Sequence, residues 1–178
     1  PHEGYSGWST VRYGVGETLF KFNDAMEPTP WLAKSYEQIN PQTIKITLKD
    51  NVTFSNGKKV DGQAVKECLE HLLKVHDRAP GDLKIASLEA QGQAIIITSQ
   101  LPSPVFINYL SDPYAAIIDM QAGVTADKKV IGTGPFVAQK VTDSEVELVK
   151  NPKYWGGAVK VDKVHVRAIN DGDTLTMA

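Results

Sequence analysis

The spacing of hydrophobic and polar positions changes several times along the chain, and each change marks an element. Thr43-Ile-Lys-Ile-Thr-Leu48 alternates polar and apolar with a period of two, the pattern of a half-buried strand. Trp31-Leu-Ala-Lys-Ser-Tyr36 reads as the strand before it, with Trp31 and Ala33 on one face, and the Asn40-Pro41 turn makes the two a hairpin. Asn56-Gly57 closes another hairpin, because such a turn needs the positive φ that glycine adopts freely. From Asp61 the period lengthens. Val65, Cys68, Leu69, Leu72 and Leu73 form one stripe of a helix that Asp61 caps and that runs to about His76. Pro80-Gly81 is expected to end that unit.

Residues 85–88 and 94–98 read as two further strands around a Gln91-Gly92 turn. Residues 104–110 fit a short helix with proline in its first turn, and residues 114–118 fit a buried strand. Residues 136–141 and 145–149 form a hairpin over Thr142-Asp143-Ser144, and residues 159–169 alternate as one more half-buried strand. At the start, residues 5–22 read as a polar, glycine-rich loop followed by a short helical or mixed segment. Pro28-Thr-Pro30 reads as an extended linker. Many strands in antiparallel hairpins with a few helices between them predict a mixed α/β (α+β) domain, not a strict βαβ array.

Composition narrows the function classes. A chain of 178 residues with 42% hydrophobic residues can bury a sizeable core. Net charge is −2, the arginines are Arg12, Arg78 and Arg167, and Lys58-Lys59 and Lys128-Lys129 are isolated pairs expected in solvated loops. These features argue against a nucleic-acid surface. Apolar runs such as Tyr114-Ala-Ala-Ile-Ile118 are too short to span a bilayer. With Cys68 as the only cysteine, no internal disulfide forms, which suits either a reducing compartment or an envelope protein without disulfides. The chain opens at Pro1-His2-Glu3-Gly4 without a signal peptide or lipidated cysteine. Its last residues, Asp171-Gly-Asp-Thr-Leu-Thr-Met-Ala178, read as the opening of a helix. The expectation is a chain trimmed at both ends.

The motifs of catalysis are missing. Gly14-Val-Gly16 and Gly132-Thr-Gly134 lack the third glycine of a dinucleotide loop, no phosphate-loop lysine follows either, and both read as tight turns. His71 and His76 are five apart, Glu67 and His71 read as a surface contact, and His2 and His165 as solvated or packed. Cys68 on the helix stripe reads as a buried structural thiol. Asp171 and Asp173 could suggest a cation site but read more cheaply as a helix N-cap at Asp173, and no serine elbow or triad stands out. What remains is the segment 4–13. Its aromatics and Arg12 offer flat contact surfaces plus a cation for a carboxylate, against the plainer reading of packed rings and a surface charge.

Six segments occur in a telling order: Pro1-His2, Glu17-Thr-Leu-Phe20, Pro30-Trp-Leu-Ala-Lys-Ser-Tyr36, Asp50-Asn-Val-Thr-Phe-Ser-Asn-Gly57, Gly132-Thr-Gly-Pro-Phe136 and Asn151-Pro-Lys-Tyr-Trp-Gly156. In this order they resemble the extracytoplasmic solute-binding proteins of bacterial ABC importers, in the peptide/nickel-type branch (family 5). The resemblance implies a periplasmic-binding-protein-like type II fold of two lobes around a hinge. Residues 1–40 and 130–178 would belong to the N-terminal lobe and residues 41–129 to a subdomain inserted in it, with the second lobe absent from this chain. It further implies a non-enzymatic monomer, without cofactor, resident metal or nucleic-acid partner. Such a protein works outside the cytoplasm, in the periplasm or as a surface lipoprotein. It captures an oligopeptide, nickel chelate or related amino-acid derivative and passes it to membrane permease subunits. The alternative is the ligand-sensing domain of a regulatory protein with the same fold. Tyr5, Trp8, Arg12 and Tyr114 are the expected ligand contacts. Near Ala115 the nickel-binding pattern has an arginine for chelate carboxylates, and near Ser9 a methionine. This chain departs at both, which argues against nickel-chelate capture in that manner and makes Arg12 the candidate replacement cation.

Overall fold

The computed structural model describes residues 1–125 and 127–169. The segment expected to be a glycine-rich loop is helix α1 (Ser6–Arg12). Gly7 is not a breaker there. A Cβ on Gly7 would sit 2.5 Å from the Pro113 carbonyl oxygen, so the glycine permits a close approach of α1 to a later segment. Thr10 donates its hydroxyl to the Ser6 carbonyl, one turn back, at 2.9 Å. Strands β1 (Phe20–Phe22) and β2 (Pro28–Pro30) then pair antiparallel, so Pro28-Thr-Pro30 is a strand rather than a linker. A two-stranded ribbon tolerates both prolines because its outer edge needs no N–H donors. Asn23 closes the connection by accepting the backbone N–H groups of Ala25 and Glu27.

Next come β3 (Ala33–Asn40), β4 (Thr43–Leu48), α2 (Gly62–Val75), α3 (Ala79–Leu83), β5 (Ile85–Gln91) and β6 (Ala94–Ser99). The four strands form one antiparallel sheet in the order β3-β4-β6-β5. The alternation of β4 buries Ile44, Ile46 and Leu48, which join Ile95 and Ile97 of β6 and Val65, Cys68, Leu69 and Leu72 of α2 in one core. The Asp61 carboxylate accepts the Ala64 N–H at 2.9 Å, as the capping reading required. Strand β3 starts two residues later than Trp31 and continues to Asn40 as an exposed edge. Pro80-Gly81 lies inside α3. Proline fits the first turn of a helix, where no N–H is needed.

Helix α4 (Phe106–Tyr109) is followed by a 3-10 turn, Pro113–Ala115. Residues 114–118 are buried as expected but are not a strand. Pro113 fixes the backbone, the Asp112 side chain accepts the Tyr114 N–H at 3.1 Å, and only single bridges follow, Ile117 to Glu17 and Ile118 to Gly132. The last described sheet is β7 (Phe136–Val141), β8 (Glu145–Lys150) and β9 (Lys163–Arg167), all antiparallel. Strand β9 is shorter than the alternation of residues 159–169 suggested. Asp171 and Asp173 lie outside the described residues. No helix among the described residues is long and apolar enough to cross a membrane.

The scattered motifs of the sequence meet at Glu17. Its fully buried carboxylate accepts the Thr133 hydroxyl at 3.0 Å, the Trp155 indole N–H at 2.7 Å and the Tyr154 hydroxyl at 2.8 Å. Burial raises its pKa, against the pull of those three donors. Beside it the two glycine pairs face each other. A Cβ on Gly132 would lie 2.0 Å from the Val15 carbonyl oxygen, and one on Gly134 2.1 Å from that of Gly14. The Gly132-Thr-Gly134 stretch is therefore a close crossing of two backbones, where the sequence suggested a tight turn.

Candidate ligand-binding site

The approach allowed by Gly7 sets α1 against the 3-10 turn and brings Trp8 and Tyr114 to one cavity of about 180 Å³. Its lining also includes Tyr5, His76, Asp77, Arg78 and Asp112. Tyr5 precedes α1 and is 88% exposed, Trp8 is 57% exposed, and Tyr114 forms the buried wall at 3%. Large rings left open at a cavity mouth are the observation here, since isolated exposed apolar residues elsewhere need no explanation.

The segment between α2 and α3 supplies the polar side of the cavity. His76 ends α2, and its Nδ1 accepts the backbone N–H groups of Arg78 and Ala79, each at 3.1 Å. The His76 ring packs on Tyr114, centroids 4.7 Å apart. Arg78 reaches over the other groups: its guanidinium carbon lies 5.6 Å from the Tyr114 ring centre, and Nη2 is 3.0 Å from Asp112. The Tyr114 hydroxyl donates to Asp82 at 3.4 Å. Burial, then the negative charges of Asp82 and Asp112, push the Tyr114 phenol well above its ordinary range, so it stays a neutral donor at physiological pH.

Three of the four expected contacts, Tyr5, Trp8 and Tyr114, thus share one cavity. Arg12 does not line it. Arg12 follows Trp8 by four positions and so lies on the same side of α1, but it borders a separate cleft with Tyr13, Trp31, Phe136 and Tyr154. Asp112 belongs to the segment that the resemblance set beside Tyr114, whereas Arg78 and Asp77 were not singled out from sequence. The only signal was proximity in the fold, because Asp77-Arg78 reads locally as an ordinary solvated turn.

Other polar groups are structural. His2 is buried and its Nε2–H donates to the Ala116 carbonyl at 2.8 Å, so its Nδ1 accepts from Nδ1 of His71 at 3.0 Å. Burial pulls the His2 pKa down to about 4. The Cys68 thiol is buried, donates to the Ile118 carbonyl, and is pushed up to about 12 by burial, as expected of a structural cysteine. Glu145, Glu147 and His165 bring potential metal-ligating atoms within 4.8 Å of one another on β8 and β9. Lys140 and Arg167 already pair with those carboxylates, which makes the group an ion-pair network.

Comparison with known proteins places the chain. A family model described as bacterial extracellular solute-binding proteins, family 5 Middle, matches residues 27–178. The nickel-binding protein NikA of Staphylococcus aureus is 36% identical over 164 residues, which is 92% of this chain and 33% of that protein. Its crystal structure in complex with Ni(L-His)2 superposes with a TM-score of 0.88 at 34% identity, over 92% of this chain and 36% of that one. A nickel ABC transporter structure from Bacillus halodurans gives a TM-score of 0.89 at 36% identity, over 96% of this chain and 36% of the other. The glutathione-binding protein GsiB of Salmonella paratyphi A is 30% identical over 169 residues, 88% of this chain and 33% of that protein. The chain spans about a third of the length of the relatives it matches. With that match over most of its length, the chain belongs to the bacterial extracellular solute-binding proteins of family 5.

Proposed function

We propose that the protein is the substrate-binding component of an ABC importer, which captures a small solute outside the membrane and delivers it to permease subunits. Within it, residues 1–40 and 130–178 belong to the N-terminal lobe and residues 41–129 to a subdomain inserted in that lobe. The observation that carries the reading is the cavity with two exposed rings, Tyr5 and Trp8, at its mouth and a buried Tyr114 behind them. Flat aromatic faces beside a few fixed polar groups suit a small organic ligand. Such a surface is half of a cleft, and closure of a second lobe over it shifts the population toward a form the transporter reads. Arg12 follows Trp8 on the same helix but borders a separate cleft, and it is proposed as the contact for the carboxylate of a ligand that extends past the cavity. The site does binding, not turnover.

The family's relatives carry names for nickel, glutathione and dipeptide binding, so the ligand class is a small amino-acid derivative or its metal chelate. The test is a thermal shift on the ligand-stripped, full-length protein with bis(L-histidine)nickel(II), glutathione and a tripeptide mixture. One of these raises the melting temperature by mass action, and Arg12→Ala reduces the shift. No shift with any of them, or hydrolysis of the peptides, contradicts the reading.

A further inference from the structure

Among the described residues, Arg78 is the only Lys or Arg lining the cavity, and it is already engaged. Its Nη2 lies 3.0 Å from Asp112, its Nε 3.7 Å from Asp82, and its plane covers Tyr114. His76 turns Nδ1 toward two backbone donors, which leaves its proton on Nε2. Asp77 is the opposite case. It lines the same cavity, is exposed, and makes no side-chain hydrogen bond or ion pair among the described residues. The rings of Tyr5 and Trp8 share that cavity. An unengaged carboxylate with aromatic faces is a receptor for a cation bearing N–H groups: the carboxylate accepts hydrogen bonds while the ring faces attract the charge. A ligand carboxylate would instead meet Asp77 and Asp112, with the one arginine of the lining already paired.

We propose that this wall of the cavity receives an electropositive N–H donor group of the ligand, ammonium or metal-bound amine, at Asp77 and the rings of Tyr5 and Trp8. The proposal rests on the cavity being the solute site. Two sources present that chemistry: the free ammonium of a peptide or amino-acid derivative, and the coordinated amines of a metal–amino-acid complex.

The test is calorimetric titration of the ligand-stripped full-length protein with four probes. Trialanine carries a free ammonium and bis(L-histidine)nickel(II), neutral overall, carries amine N–H groups polarised by the metal, while N-acetyl-trialanine and nickel(II) citrate lack both. One of the first two binds, and its matched control binds at least about tenfold more weakly. Which of the two binds identifies the source. Asp77→Asn, which removes no contact within the fold, weakens the favoured probe roughly three- to tenfold and leaves the melting temperature of the unliganded protein unchanged. Binding of either control as tightly as its partner overturns the proposal, as does an Asp77→Asn variant with unchanged affinity. Trp8→Ala separates the two levels. If Trp8→Ala weakens binding and Asp77→Asn does not, only the charge assignment falls. If neither matters, or none of the four probes binds, the cavity is not the solute site.

Discussion

At the scale of single residues, burial decides which groups are chemically available. His2 is held neutral by burial, with one ring nitrogen on the Ala116 carbonyl and the other on His71. Its folded pKa of about 4 lies below the ordinary value of 6.5. Between those values the unfolded chain binds the extra proton, so stability is lost as pH falls from 6.5 to 4, by on the order of 3 kcal/mol. Glu17, whose pKa is raised, acts in the opposite sense, so the His2 contribution is isolated by comparison with a variant. In denaturant melts across that range, His2→Gln flattens the acid slope; an unchanged slope removes this assignment. Cys68, buried and pushed up to about 12, resists a thiol reagent until the protein unfolds. Rapid labelling of the native protein would contradict its packing.

At the scale of elements, close approaches between backbones organise the site. Gly7 lets α1 lie against the Pro113–Ala115 turn. Gly7→Ala forces a Cβ to within 2.5 Å of a carbonyl oxygen and is expected to cost about 1–3 kcal/mol, read as a lower denaturation midpoint, with weaker ligand binding because Trp8 moves relative to Tyr114. Glu17→Ala leaves three donors without their acceptor and costs about 3 kcal/mol, whereas Glu17→Gln, which can still accept from Trp155 and donate to Tyr154, costs less. Equal stability of the two variants would show that the carboxylate is not the junction. These examples also mark what the sequence makes legible. The alternation of residues 43–48 and the Asp61 cap with its apolar stripe are local signals, and both appear in the fold as read. The glycines of α1 and of the Gly132-Thr-Gly134 stretch suggested loops and turns because their purpose is a contact more than a hundred residues away. Of the four residues grouped from the segment 4–13 and the resemblance, Tyr5, Trp8 and Tyr114 share a cavity and Arg12 does not, while Arg78 and Asp77 were not legible. Nothing local distinguishes a cavity-lining Asp-Arg pair from a solvated turn.

At the scale of the whole molecule, the ringed face is proposed as one side of a two-sided site. A protein of the family's full length, about three times this chain, has the remaining residues to close over it. The proposed capture therefore depends on both sides, and these 178 residues alone should bind far more weakly than the full-length protein, because Tyr5 and Trp8 stay open to water. Micromolar binding by the isolated chain would contradict that division. The central claim is that the Trp8–Tyr114 cavity holds a captured solute. It is tested most directly by native mass spectrometry of the full-length protein purified without refolding, side by side with its Trp8→Ala variant. The account predicts a small co-purified mass on the parent protein, with an isotope pattern that separates a metal chelate from peptides, and its loss in the variant. The same mass at the same occupancy in both proteins would place the solute elsewhere.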